Sequence, residues 1–170
     1  MKEHSLAIQP IAKQFTMHSK LFNNVLEGIE DKKGSERLND HVNHIQWIAG
    51  HLTNSRYRLG SMLGLELVFP YMEFYTDLTA PPPFNRALDT HLNYPPVNEI
   101  KKSWNDLAAK LVGQLSELGP EQLAAQMPTA VPTGKTMLDF ISFISSHESY
   151  HIGQMSIIRK YLGLPAMSYR

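Results

Sequence analysis

The sequence contains no cysteine. That excludes disulfides, thiolate metal sites and a cysteine nucleophile on this chain. It carries no excess charge either: 16 basic and 16 acidic side chains cancel. With no basic surplus to neutralise phosphates, the electrostatic case for nucleic acid or an anionic membrane surface falls away. No run approaches the roughly 18 apolar residues of a membrane span. The N-terminal MKEHSLAIQPIAKQ lacks the continuous apolar core of a signal peptide, and the compartment expected from this is the cytoplasm. There is no internal repeat, and no segment shows the period-two alternation of a strand.

What is present is one domain's worth of chain, 170 residues with 42% apolar content, enough for a single core. Four long segments have helical periodicity. The first, roughly Leu6 to Ile29, has the stripe Ile11, Phe15, Phe22, Val25 and Ile29, with His18 in the same register. The polar stretch Glu30 to Ser35 ends it. The second, roughly Asn39 to Leu63, has Asn39 or Asp40 as its expected N-cap and Gly64 as its stop. Its apolar positions are Val42, Ile45, Ile48, Leu52, Leu59 and Leu63. The third, roughly Pro96 to Leu118, opens on Pro95-Pro96 and closes at Gly119-Pro120. Its stripe is Ile100, Trp104, Leu107, Leu111, Leu115 and Leu118, and a short turn from Glu121 to Ala125 follows. The fourth starts at the capping box Thr136…Asp139 and stops at Gly163, with Pro165 beyond. Its expected stripe runs Met137, Phe140, Ile141, Ile144, His147, His151, Met155, Ile158 and Leu162. Four amphipathic helices in one domain point to an all-α bundle.

A connection of about 30 residues, 65–94, joins the second and third helices with no clean period. It holds Pro81-Pro82-Pro83 and the aromatics Phe69, Tyr71, Phe74, Tyr75 and Phe84. Two readings are open: a lid or pocket wall, and a packed crossover whose aromatics are core.

Histidine is the unusual count, eight in the chain. His147 and His151 are four apart, on one helical face one turn apart, where two rings can grip one ion. Such a pair arises readily by chance. Two further facts strengthen it. Both histidines occupy positions where Ile or Leu is expected, and buried rings need partners. The other helices also carry His on their inward stripes: His18 on the first, His44 and His51 beside Trp47 on the second. The competing reading is a set of core histidines bonded to carbonyls or carboxylates.

The stretch Asn43-His44-Ile45-Gln46-Trp47-Ile48-Ala49-Gly50-His51-Leu52, with His147-Glu148-Ser149-Tyr150-His151-Ile152-Gly153-Gln154, resembles the DinB-like (DinB/YfiT-like) family of metalloenzymes. The tail Arg159-Lys160-Tyr161-Leu162-Gly163-Leu164-Pro165 is similar to the family's end. The resemblance spans essentially residues 1–170 as a single domain. It implies a four-helix bundle in up-down-down-up order, with a long crossover between helices two and three. It implies a divalent metal, nickel or zinc, held by His51, His147 and His151, and a homodimer. It also implies a transferase that activates a low-molecular-weight thiol of the bacillithiol or glutathione type.

Ligand chemistry is compatible with that expectation. Three neutral imidazoles and no protein anion leave a metal with its double charge and an open position, the pattern of catalytic zinc. A chain without cysteine must take its thiolate from a cosubstrate. The alternatives are a metal-dependent hydrolase using metal-bound hydroxide and a non-catalytic, stress-related metal-binding protein. Each acts on a small molecule or on none, and neither needs nucleic acid or membrane. Gln154 shares the face of His147 and His151 and is a candidate to reach bound water or substrate. His44 is a candidate pocket residue, and Arg58 a candidate for an anionic substrate. Glu148 points about 100° from His147 and is assigned a surface or inter-helix role. Metal affinity is expected to fall as pH drops through the histidine range near 6.5.

Overall fold

The computed structural model describes residues 6–80 and 85–169. In chain order the elements are α1 (Ile8–Val25), α2 (Asp31–Gly34), α3 (Ile45–Met62), a 3-10 turn (Met72–Phe74), α4 (Val97–Ser116), α5 (Pro120–Ala124), β1 (Gln126–Val131), β2 (Gly134–Thr136) and α6 (Met137–Tyr161). The framework is helical, as the periodicity predicts. The long helices α1, α3, α4 and α6 pack in a ring: α1 lies on α4 and α6, and α3 lies on the same two. The stripe of α4 is buried throughout, with Ile100, Trp104, Leu107, Leu111 and Leu115 fully enclosed. Trp104 stacks on Phe22 of α1 with ring centres 3.9 Å apart. Contacts of this kind, non-directional and scaled by area, hold the four helices together.

Three local expectations need correction. The second helix begins at Ile45, not near Asn39. Residues before it use their side chains on their own backbone: Asn39 Oδ1 accepts from His41 N, and Arg37 Nε donates to the Val42 carbonyl. Such local bonds compete with helix formation. His44 is the N-cap instead, its Nδ1 accepting from Trp47 N at 3.0 Å. The polar break after α1 contains the short α2. And two strands exist, β1 and β2, paired antiparallel from Gln126↔Thr136 to Val131↔Gly134. They are short and mostly exposed on both sides, so they carry no apolar alternation to read.

The hairpin delivers the chain to α6. Thr136 Oγ1 accepts from Asp139 N, and the Asp139 carboxylate accepts from Thr136 N at 2.9 Å, the expected capping box. Gly134 allows this. A Cβ there would collide with the Asp139 carboxylate.

Among its described residues, the 65–94 connection is packed against α3. Phe69, Tyr75 and Tyr94 are buried and pass ring to ring, with Tyr75 5.9 Å from Phe69 and 5.8 Å from Tyr94. Pro81-Pro82-Pro83 and Phe84 lie outside the described residues. Covered by the connection on one side and by α4 and α6 on others, α3 is buried almost all round. Two of its buried amide side chains find partners in these neighbours. Asn54 donates to Thr76 Oγ1 at 2.9 Å, and Gln46 donates to the Pro95 carbonyl at 2.8 Å.

Candidate metal centre

The packing of α3 on α6 brings His51 to His147 and His151. One ring nitrogen from each lies within 4.8 Å of the others. His51 Nε2 is 3.0 Å from His147 Nε2. His151 donates its Nδ1 proton to Gln154 Oε1 at 2.6 Å, which leaves Nε2 as its lone pair. Gln154 in turn donates to the Tyr150 hydroxyl at 3.0 Å. Gln154 is therefore engaged in orienting a histidine, where its sequence position pointed to water or substrate.

Aromatic rings wall the cluster. Trp47, one turn before His51, stacks on it at 5.0 Å and 6°. Phe143, one turn before His147, lies 6.0 Å from that ring. Nδ1 of His51 and Nδ1 of His147 are buried with no hydrogen-bond partner among the described residues.

The rings are held neutral. Burial pushes His51 down to about 3, and the neighbouring His147, His151 and Arg58 press the same way. Burial and then His151 push His147 down to about 4, against a smaller opposing pull from Glu148. Burial also lowers His151, with Gln154 opposing. Neutral rings keep the lone pairs that a metal ion needs. The cluster thus passes the chemical test for a divalent ion: three deprotonated nitrogen donors, an oriented third ring and no carboxylate in the group. Three imidazole donors suit zinc, nickel, copper or iron alike and leave coordination positions open.

The remaining candidates are placed elsewhere. His44 caps α3 and packs on Tyr94 with ring centres 5.4 Å apart, outside the histidine cluster. Arg58 is half-buried on α3, and its charge is felt at His51.

Of the two roles expected of Glu148, the structure has the inter-helical one: the side chain has no surface exposure at all. Arg56 grips it through Nε to Oε1 at 2.7 Å and Nη2 to Oε2 at 2.6 Å. His18 Nδ1 stands 3.0 Å from Oε2, so His18 is a core histidine bonded to a carboxylate. Burial opposes ionisation of Glu148, but Arg56 and His18 outweigh it and hold the carboxyl below the usual carboxylate range. The buried face of α6 runs Ile141, Ile144, Ser145, Glu148, Ile152, Met155, Ile158 and Arg159, with His147 and His151 at its half-buried edge. A charged residue at the centre of a three-and-four apolar series was the available signal.

No curated protein matches the chain. The model of the DinB superfamily matches residues 14–155, a span holding all four long helices in part or whole and all three clustered histidines. The chain belongs to the DinB superfamily.

Proposed function

We propose that this protein is a divalent-metal-dependent enzyme that transfers a low-molecular-weight thiol to a small-molecule substrate, with its metal held by His51, His147 and His151. One observation carries the reading: three neutral imidazoles converge with no carboxylate among them. A divalent ion there supplies Lewis-acid chemistry and lowers the pKa of an incoming thiol. Nickel or zinc suits the donors. The thiol comes from a cosubstrate, because the chain supplies none, and the family resemblance favours one of the bacillithiol or glutathione type.

The protein's own residues supply the rest. Gln154 holds His151 in the tautomer with Nε2 free. Trp47 and Phe143 keep water from the rings they flank. Arg58 adds positive charge near His51 and favours an anionic substrate or thiol. The proposal includes the up-down-down-up helix order, a cytoplasmic location and a homodimer. Tyr150, Ile157 and Tyr161 are exposed along one side of α6, and an apolar stripe of this kind supports self-association.

The test is a cobalt(II) titration of metal-free protein, followed by addition of small thiols and then of electrophilic acceptors. One ion per chain, a spectrum altered by thiol and thiol-dependent product support the reading. Turnover that needs no thiol replaces it with hydrolysis. One ion whose spectrum ignores thiol makes the site structural. No bound ion overturns the metal assignment itself.

A further inference from the structure

All four long helices converge on one buried ion pair. Arg56 on α3 and Glu148 on α6 are both fully enclosed. Beyond the two bonds to the carboxylate, Arg56 Nη1 donates to Ser19 Oγ at 2.8 Å, on α1. The guanidinium carbon lies 3.5 Å from the centre of the Trp104 ring, on α4. His18 on α1 bridges Glu148 to Ser149, its Nε2 standing 2.9 Å from the Ser149 hydroxyl oxygen.

We propose that this network is the positioning device of the histidine cluster. It sets the rotation and axial register of α3 against α6, so that His51 meets His147 and His151. The inference rests on the metal reading for its consequence, not for its geometry.

Three arguments support it. The first is placement. Arg56 follows His51 by five residues on α3, and Glu148 lies next to His147 and three before His151. The fork ties together the same two helices that carry the clustered rings, about one turn away.

The second is energetic. Removing two charges from water costs about as much as their attraction returns, and apolar residues of the same volume hold helices as well or better. Stability alone does not account for the pair. Direction does: a planar guanidinium meeting a carboxylate through two parallel bonds accepts one relative placement. The apolar side chains these helices bury, such as Leu52, Ile144 and Ile152, attract without direction and permit sliding.

The third is tolerance. Ligand sites need their side chains held within about 0.5 Å of the working geometry. Sliding one helix by a single residue is a shift of about 1.5 Å, large beside the 3.0 Å between His51 Nε2 and His147 Nε2.

The experiment compares the wild-type protein with the double variant Arg56→Met/Glu148→Leu and with Arg56→Lys, which keeps the charge and loses the fork. Three readouts are taken: thermal melting, cobalt(II) affinity with its visible spectrum, and nitrogen-15 resonances of the histidine rings in metal-free protein. The double variant is expected to stay folded, melting somewhat below the wild-type temperature because buried His18 loses its carboxylate partner, while binding cobalt at least tenfold more weakly with a broadened spectrum. Arg56→Lys is expected to lose affinity in the same direction. Wild-type affinity and spectrum in a folded double variant overturn the proposal. If the double variant does not fold, Arg56→Lys decides, and wild-type binding there overturns it. If the wild-type protein itself binds no cobalt, the metal reading has failed. The ring resonances then decide: loss of the His51–His147 contact in the variants supports positioning, and its persistence refutes it.

Discussion

The Nε2 atoms of His51 and His147 stand 3.0 Å apart, each facing the other. Both rings are neutral near pH 7, so one Nε2 carries a proton and the other accepts it. The accepting ring then keeps its proton on a buried Nδ1 with no partner among the described residues.

If both Nε2 atoms were to hold a divalent ion, both would have to offer lone pairs, and both ring protons would sit on Nδ1. Nitrogen-15 spectra of metal-free protein should show one protonated Nε2 in this pair, and zinc should convert it to Nδ1–H. Spectra unchanged by stoichiometric zinc would rule out these two rings as ligands.

Gln154→Ala removes the acceptor that orients His151. Losses of such outer partners typically cost 10–100-fold in metal affinity. Gln154 is half-exposed, so the melting temperature should barely move. Chelator competition measures the affinity and calorimetry the fold. Unchanged affinity would assign the Gln154 bond to surface packing.

Acid should destabilise the metal-free protein early. His51 is held at about 3, and His44 and His147 at about 4; burial is the largest cause in each. In the unfolded chain these rings titrate near 6.5. Between those values the unfolded chain binds protons that the folded one refuses. Stability is therefore complete above about pH 6.5. It falls as pH drops toward about 4. Urea midpoints across this range check the sign. The same depression corrects the expectation drawn from spacing alone. In the folded protein, protons compete with metal at His51 and His147 only near 3 to 4, not near 6.5. Metal affinity measured on folded protein should therefore fall less steeply between about pH 8 and 5 than three free imidazoles would give. A loss as steep as that of three free imidazoles would contradict the buried, neutral cluster.

Gly50→Ala should be strongly destabilising. A Cβ on Gly50 would coincide with the Tyr75 hydroxyl, which leans on the α3 backbone between Trp47 and His51. Overpacking of this kind costs about 1–3 kcal/mol or more. Tyr75→Phe should do the reverse. Its hydroxyl is buried with no hydrogen-bond partner among the described residues, so its removal should be neutral or stabilising by about 1 kcal/mol. Chemical denaturation of both variants tests the pair, and a destabilised Tyr75→Phe would show that the hydroxyl has a partner in solution.

Much of the helical framework was legible because it rests on local interactions. The stripe from Ile100 to Leu115 repeats every three or four residues, and those residues are buried. Thr136 and Asp139 cap α6 through bonds spanning three residues, and Gly163 ends it at a positive φ of 78°. Where local bonds compete, the sequence misled. Residues 39–43 carry plausible caps, yet Asn39 bonds its own turn and the helix waits for His44. The hairpin was invisible because exposed strands need no apolar pattern.

The sequence by itself determined four long helices and the pairing of His147 with His151, since spacing on one helix sets that distance. It also determined that any thiol must come from outside. Spacing alone did not choose the third ring: the family resemblance named His51, and the tertiary structure is what carries it to the pair. His18, His44 and His51 all lie inward, but packing of α3 on α6 brings His51 to the cluster. His18 goes instead to Glu148, and His44 to a helix cap. Only the tertiary structure revealed Arg56 as the partner of Glu148. Contacts between residues far apart in the chain are set by how whole helix faces dock, and no local period encodes that.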